Sequence, residues 1–171
     1  KRKGNSKDLD SGDTVILTTA ETPQSKYTQA VKDSYADYND MALIVITRIG
    51  GEGFDMPRLM TRTDGDGKVT DVEGARAGKD DHFLQLDQNE SDMVKAVCDA
   101  GFDRVVVVLN TGQAIETGFL EETSGYVELK GYDIDPAKID AAIWMGFPGE
   151  TGTRALGSIL NGNVNPSGKL A

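Results

Sequence analysis

Unbroken apolar runs constrain the fold of this 171-residue chain more than any other feature. Residues 41–46 read MALIVI and residues 105–109 read VVVVL, with no polar position inside either run. A strand with one solvated face alternates apolar and polar residues, whereas a strand covered on both faces is apolar throughout. Strands of the second kind belong to parallel sheets between layers of helices. The runs therefore predict an α/β protein with a mainly parallel central sheet.

Segments with helical apolar spacing separate these runs. The helical segments are residues 24–38, 93–98 and 155–160, and further strand candidates are residues 14–19 and 139–145. Strands that alternate with helices form a sheet with helices on both faces. We therefore expect a three-layer α/β/α sandwich, and the chain length fits one domain over residues 1–171.

The second helical segment has a recognisable start. Asp87, followed three residues later by Glu90, predicts a capping box at its N-terminus. Cys98, the only cysteine, shares an apolar face with Met93 and Val94, which predicts core packing rather than a nucleophile. A single cysteine also excludes a disulfide within the chain.

Two regions do not follow the strand and helix alternation. Residues 61–82 are polar and aperiodic, so we expect an exposed excursion with a hairpin that turns at Asp66 and Gly67. Residues 115–121 predict a short helix, and residues 126–129 predict a hairpin or a loop.

Charge and hydropathy exclude two classes of partner. The 18 basic and 28 acidic residues give a formal charge of −10, which repels nucleic acids and anionic lipid surfaces. No apolar run approaches the length needed to cross a bilayer, so no membrane contact is expected from this segment. The basic start, residues 1–3, lacks the apolar stretch of a signal peptide, and we interpret it as the stub of a longer chain.

The residues offer little support for metal or histidine chemistry. His82 is the only histidine and lies in a polar stretch, which predicts a surface position. Asp64 and Asp66 resemble the start of a calcium loop, but the glutamate that completes an EF-hand is absent. No metal and no cofactor are therefore expected.

Glu52 is the best catalytic candidate. It lies in residues 50–55, which read GGEGFD and follow the first apolar strand closely. Glycines permit close approach of another molecule, and α/β sheets bind ligands beyond the carboxyl ends of their strands. A glycine-rich turn with one glutamate is nevertheless more often a solvated connection, so this interpretation needs other support.

The order of five segments supplies that support. The segments are GGEGFD (50–55), LDQ (86–88), VVVVLNTG (105–112), PGETG (148–152) and GNVNPSGKL (162–170). Together they resemble the C-terminal α/β sandwich domain of glycoside hydrolase family 3, over about residues 41–170. The resemblance implies that the chain is a piece of a larger glycosidase from which a barrel domain is absent here.

The resemblance also implies a chemistry. Many β-glucosidases of the family carry the acid/base glutamate on the sandwich domain in a Ser-Gly-Glu-Gly-x-Asp-Arg loop, which assigns that role to Glu52. The nucleophilic aspartate of the family lies on the barrel. The implied partners are a carbohydrate, a β-D-glucoside first and a β-xyloside second, and the barrel domain of the parent chain. Gly50 and Met56 replace the serine and arginine of the family loop.

Several neighbours of Glu52 are candidate substrate-binding residues. Phe54 could stack on a sugar ring or fill the core, and Asp55 could orient hydroxyl groups or anchor the loop by local hydrogen bonds. Arg48 could donate to a sugar or form a salt bridge inside the domain. Trp144 and Phe147, at the end of the last strand, could face the cleft, although packing beneath the next helix is favoured.

Two other functions compete with the glycosidase interpretation. The domain could be a non-catalytic carbohydrate-binding or scaffolding module with the same fold. An α/β domain could also bind nucleotides. The second alternative is weak, because the chain has neither GxxxxGK[ST] nor a GxGxxG that opens a helix.

Overall fold

The computed structural model describes most of the chain. The described residues are 21–48, 59–63, 66–71, 74–76 and 82–168. The predicted strand at 14–19 and the loop with Glu52, Phe54 and Asp55 lie outside these residues.

Five strands and four α-helices form the described fold. The strands are β1 (Ala42–Arg48), β2 (Thr61–Thr63), β3 (Val69–Asp71), β4 (Val105–Thr111) and β5 (Ala141–Trp144). The helices are α1 (Gln29–Asp33), α2 (Gln88–Asp99), α3 (Tyr126–Lys130) and α4 (Gly149–Leu160). None of the helices in these parts of the chain has the length and apolar character to cross a membrane.

A parallel three-stranded sheet organises the molecule. Its order is β1-β4-β5, with Ile44 opposite Val107 and Val108 opposite Ile143. The connection from β1 to β4 contains the short strands β2 and β3 and then α2, and β1 and β4 pair parallel, as the unbroken apolar runs predict. The structure confirms the predicted α/β sandwich with a mainly parallel sheet.

The main core lies between one face of the sheet and α2. Ile44 and Ile46 from β1 and Val107 and Leu109 from β4 share it with Val94 of α2. The opposite face is less covered, since Leu43 and Val45 of β1 each keep 46% of their surface exposed. Side chains of a strand alternate between faces, which explains why neighbours in β1 differ so much in burial.

Helix α2 begins as the sequence predicts. The Asp87 side chain accepts from the Glu90 backbone N–H, and the Glu90 side chain accepts from the Asp87 backbone N–H. Gly101, just beyond the helix, has φ +82°, a left-handed conformation that glycine adopts without strain. Cys98 is buried in the core, as expected.

The first predicted helix is wrong in extent. Residues 24–38 form two 3-10 turns and a five-residue helix, α1, instead of one continuous helix. Thr28 is the N-cap of α1, and its side chain accepts from the Val31 N–H. The Ser34 hydroxyl donates to the Val31 carbonyl. Hydroxyl groups that bond nearby backbone compete with helical bonds, which divides the apolar pattern into short pieces.

The predictions for residues 61–82 and for the region after β4 are confirmed only in part. Strands β2 and β3 pair antiparallel, which confirms the predicted hairpin, and Gly67 between them has φ +78°. The hairpin or loop predicted for 126–129 is wrong, because α3 occupies this segment between glycines at 125 and 131 with positive φ. The helix predicted for 115–121 is reduced to a 3-10 turn at Gly118–Leu120.

Candidate active site

The carboxyl ends of β1, β4 and β5 lie side by side. Arg48, the last residue of β1, is opposite Thr111, the last residue of β4. Trp144 ends β5 opposite Leu109. In parallel α/β sheets this edge is where ligands bind. Residues 50–55 follow β1 in the chain order, and their geometry lies outside the described part.

Arg48 is buried, with 4% of its surface exposed, and its guanidinium makes five hydrogen bonds. Nε donates to the Phe83 carbonyl at 2.6 Å, and Nη1 donates to the Thr47 carbonyl at 3.0 Å. The Glu90 carboxylate accepts from Nη1 at 2.5 Å and from Nη2 at 2.7 Å. Nη2 also donates to the Gln85 carbonyl at 2.5 Å. The arginine therefore connects the end of β1 to the start of α2.

The pKa values of this group reflect its burial. Burial alone lowers the pKa of Arg48, but the hydrogen bond and charge of Glu90 raise it above its usual value. Burial, and then the Glu90 carboxylate, raise the pKa of Asp87 to about 7. Two carboxylates share one guanidinium here, so the second negative charge is costly.

Of the two interpretations of Arg48, the structure shows the salt bridge inside the domain. Its role as a substrate-binding residue stays a prediction. Glu52, Phe54 and Asp55 also stay predictions, since they lie outside the described residues.

Thr111 and Trp144 are joined at the same edge. The Trp144 indole N–H donates to the Thr111 carbonyl at 2.7 Å. The Phe147 ring lies over Gly112, where an added Cβ would come within 2.1 Å of ring carbon Cε2. Neither aromatic is fully packed, since Trp144 keeps 48% and Phe147 56% of its surface exposed. The favoured packing beneath the next helix is thus incomplete.

Sequence reasoning missed a polar cluster around Glu116. Glu116 Oε1 is 3.3 Å from His82 Nε2, and Glu116 also accepts from the Tyr126 hydroxyl and pairs with Lys130 Nζ at 3.5 Å. Burial and the Glu116 hydrogen bond raise the pKa of Tyr126. His82 is half-buried, and its Nε2 lies 2.7 Å from Gln85 Nε2 as well as near Glu116, which is 34 positions away in the chain. No local pattern signals such a contact.

Metal and thiol chemistry receive no support from these residues. In the described ranges, no group of three acidic, histidine or cysteine side chains is arranged to hold a metal ion. Burial raises the pKa of the Cys98 thiol, which opposes formation of a nucleophilic thiolate.

The parallel sheet, its covering helices and the polar residues at its carboxyl edge define a domain of the α/β sandwich class. The sequence profile of the glycosyl hydrolase family 3 C-terminal domain matches residues 5–171. The chain therefore belongs to this family, in agreement with the resemblance of its five segments.

Relatives with similar sequences are named as glycosidases. The chain is 32% identical to β-glucosidase A of Butyrivibrio fibrisolvens, over 80% of this chain and 15% of that protein. It is 27% identical to β-glucosidase cel3A of Pyricularia oryzae, over 91% of this chain and 18% of that protein. It is 32% identical to probable β-D-xylosidase 6 of Arabidopsis thaliana, over 58% of this chain and 11% of that protein.

These relatives are much longer than the region of similarity. The chain spans only 11–18% of their length. No solved structure matches the chain.

Proposed function

We propose that this chain is the sandwich domain of a retaining β-glycosidase and that Glu52 is the general acid/base. The family match over residues 5–171 carries the proposal. The chain order supports it, because the GGEGFD segment follows β1 in the sequence and α/β proteins bind ligands beyond the carboxyl ends of their parallel strands.

The proposed substrates are β-D-glucosides, with β-D-xylosides second. The names of the relatives support this choice, since they include β-glucosidases and a probable β-D-xylosidase. We propose that Phe54 stacks on the sugar face and that Asp55 orients a hydroxyl group or anchors the loop.

The proposed reaction has two steps. An aspartate on a separate barrel domain attacks the anomeric carbon, the bond to the aglycone oxygen breaks, and Glu52 gives that oxygen its proton. Glu52 then takes a proton from water, which attacks the anomeric carbon and releases the aspartate. Retention by this route needs two carboxyl groups about 5 to 5.5 Å apart. One carboxyl group on each domain would make the isolated chain inactive.

Docking of the barrel would also raise the pKa of Glu52, as its role as a general acid requires. Exclusion of water from a carboxyl group disfavours its charged form and raises its pKa, as an acid that works near neutral pH requires. We therefore propose that the active site is assembled only when the two domains meet.

The test uses the full-length protein that carries this domain and its Glu52→Ala variant. Two aryl β-glucosides are compared, 2,4-dinitrophenyl, which leaves without a proton, and phenyl, which needs one. We expect kcat/KM for the phenyl glucoside to fall about 10²–10⁴-fold, with a much smaller loss of the glycosylation rate for the activated substrate. Azide should restore turnover of the activated substrate and give a β-glycosyl azide.

Glu122→Ala, which removes an exposed carboxyl group of the same domain, is the matched control and should behave as wild type. Wild-type hydrolysis of the phenyl glucoside by Glu52→Ala would overturn the assignment of Glu52. Sugar binding without hydrolysis by the full-length protein would favour the non-catalytic module instead.

A further inference from the structure

The donors of Arg48 are fully used inside the domain. An arginine has five N–H groups, and the five hydrogen bonds of Arg48 occupy all of them. A sugar hydroxyl would have to displace one of these bonds from a buried site. This geometry favours a role for Arg48 that does not involve contact with substrate.

The acceptors show what Arg48 holds together. The carbonyls of Phe83 and Gln85 belong to the turn before α2, and Glu90 belongs to the first turn of α2. Glu90 is fixed in turn, because its carboxylate also accepts from the Asp87 backbone N–H. The direction in which the chain leaves β1 is therefore tied to the N-terminus of α2.

Glu52 follows Arg48 by only four residues. A chain of four residues spans at most roughly 14 Å, so the Cα atom of Glu52 is within this distance of the Cα atom of Arg48 even if the chain is fully extended. A displacement of Arg48 would therefore affect the position of Glu52 through a short connection.

We propose that Arg48 and Glu90 are positioning residues that hold the end of β1 and thereby direct the carboxyl group of Glu52 toward the leaving oxygen. This inference rests on the proposed function of Glu52. It assigns Arg48 an effect on proton transfer rather than on sugar binding. Misplacement of a catalytic group by about 1 Å can cost on the order of 10² in rate, so the effect should be measurable.

The test is Arg48→Lys in the full-length protein. Lysine keeps the charge but loses the planar fork that bonds Glu90 at two points. We expect kcat for phenyl β-glucoside to fall about 10–100-fold with little change in KM. Compared as kcat/KM, the loss with 2,4-dinitrophenyl β-glucoside should be less than about threefold, because kcat/KM reports the step in which the leaving group departs and this leaving group needs no proton. The matched control is Arg104→Lys, since Arg104 forms an exposed ion pair with Asp140. This variant should show wild-type kinetic constants with both substrates.

A second variant addresses poor folding of Arg48→Lys. Glu90→Gln retains the shape of the side chain, and its amide oxygen in the place of Oε2 can accept from Arg48 Nη2 and from the Asp87 N–H. It lacks the charge, and its NH2 group cannot accept from Arg48 Nη1. It should show the same dependence on the leaving group with a smaller loss. In the Glu52→Ala background neither substitution should add a further selective loss, because residues that act through one group are not additive.

The outcomes separate the two proposals. Equal losses for both substrates in Arg48→Lys and Glu90→Gln, or a rise in KM alone, would overturn the positioning role while Glu52→Ala still shows its selective loss. Absence of a selective loss in Glu52→Ala itself would overturn the proposed function. A further selective loss, beyond that of Glu52→Ala alone, when Arg48→Lys is added to Glu52→Ala would show that Arg48 does not act through Glu52.

Discussion

Helices α2 and α4 have the same length, twelve residues, and very different surroundings. Helix α2 has a capping box and buries side chains against the sheet, among them Met93 and Val94. Helix α4 has Pro148 at its N-cap with no side-chain cap bond, and no residue of α4 is buried. Its apolar residues Leu156 and Ile159 are only half-buried. Two helices with similar apolar patterns are thus packed to different extents, because packing depends on what lies opposite each helix.

The strands beside these helices differ in the same way. Every residue of β4 except Asn110 is buried, whereas no residue of β5 is. The half of the sheet nearest α2 therefore carries most of the stability that burial of apolar surface provides. Three measurements test this difference, in order of the expected effect.

Truncation of one apolar side chain in each helix should have unequal effects. Met93→Ala in α2 removes buried atoms and leaves a cavity, so we expect the free energy of unfolding to fall by about 2–4 kcal/mol. Leu156→Ala in α4 should cost about 1 kcal/mol or less, because its side chain is already half-exposed. Urea unfolding of both variants measures the difference. Equal losses would show that α4 is packed as tightly as α2.

The capped start of α2 should make stability depend on pH. Folding raises the pKa of Asp87 from 3.8 to about 7, so the folded state holds a proton that the unfolded state has lost. Stability should therefore fall as pH rises from about 4 to about 7, by up to a few kcal/mol. Asp87→Asn keeps an acceptor for the cap and should remove this slope in urea unfolding series. Glu150→Gln, in the exposed first turn of α4, is the control that should retain it. An unchanged slope in Asp87→Asn would mean that another group binds the proton.

The ion pairs of Asp99, in the last turn of α2, should contribute least to the stability of the fold. Hydrogen bonds from Lys138 and Lys95 lower the pKa of the exposed Asp99 to about 2. This contribution is present above about pH 4 and is lost as pH falls through about 2. We expect Asp99→Asn to lower Tm by less than about 2 °C at pH 7 and low salt, and to have no effect in 1 M salt. A larger decrease that persists in salt would assign the site a packing role.

The sequence predicts those parts of the fold that depend on local or strongly periodic patterns. Strands β1 and β4 follow from apolar runs, and the start of α2 follows from Asp87 and Glu90, whose capping bonds involve neighbours in the chain. The α3 helix was missed because residues 126–130 are too few to show a helical period. The first helix was overextended because its apolar spacing conceals the caps at Thr28 and Ser34.

The candidate site is less predictable for a physical reason. Four of the five hydrogen bonds of Arg48 join it to residues 35–42 positions away in the chain, and the partners of Glu116 are brought near only by the tertiary fold. Sequence reasoning could identify Arg48 as a candidate and offer two roles, but it could not choose between a sugar and a carboxylate as its partner. Glu52 was identified by a family motif, and its geometry lies outside the described residues.

The long sequence separations of the Arg48 bonds also bear on how the protein unfolds. A contact that closes a loop of 35–42 residues has a high entropic cost until β1 and α2 are already docked. Such a bond is expected to form after the folding transition state, and its removal then accelerates unfolding more than it slows folding. Arg48 would in that case extend the lifetime of the native domain, and with it the time for which the end of β1 stays docked against the start of α2.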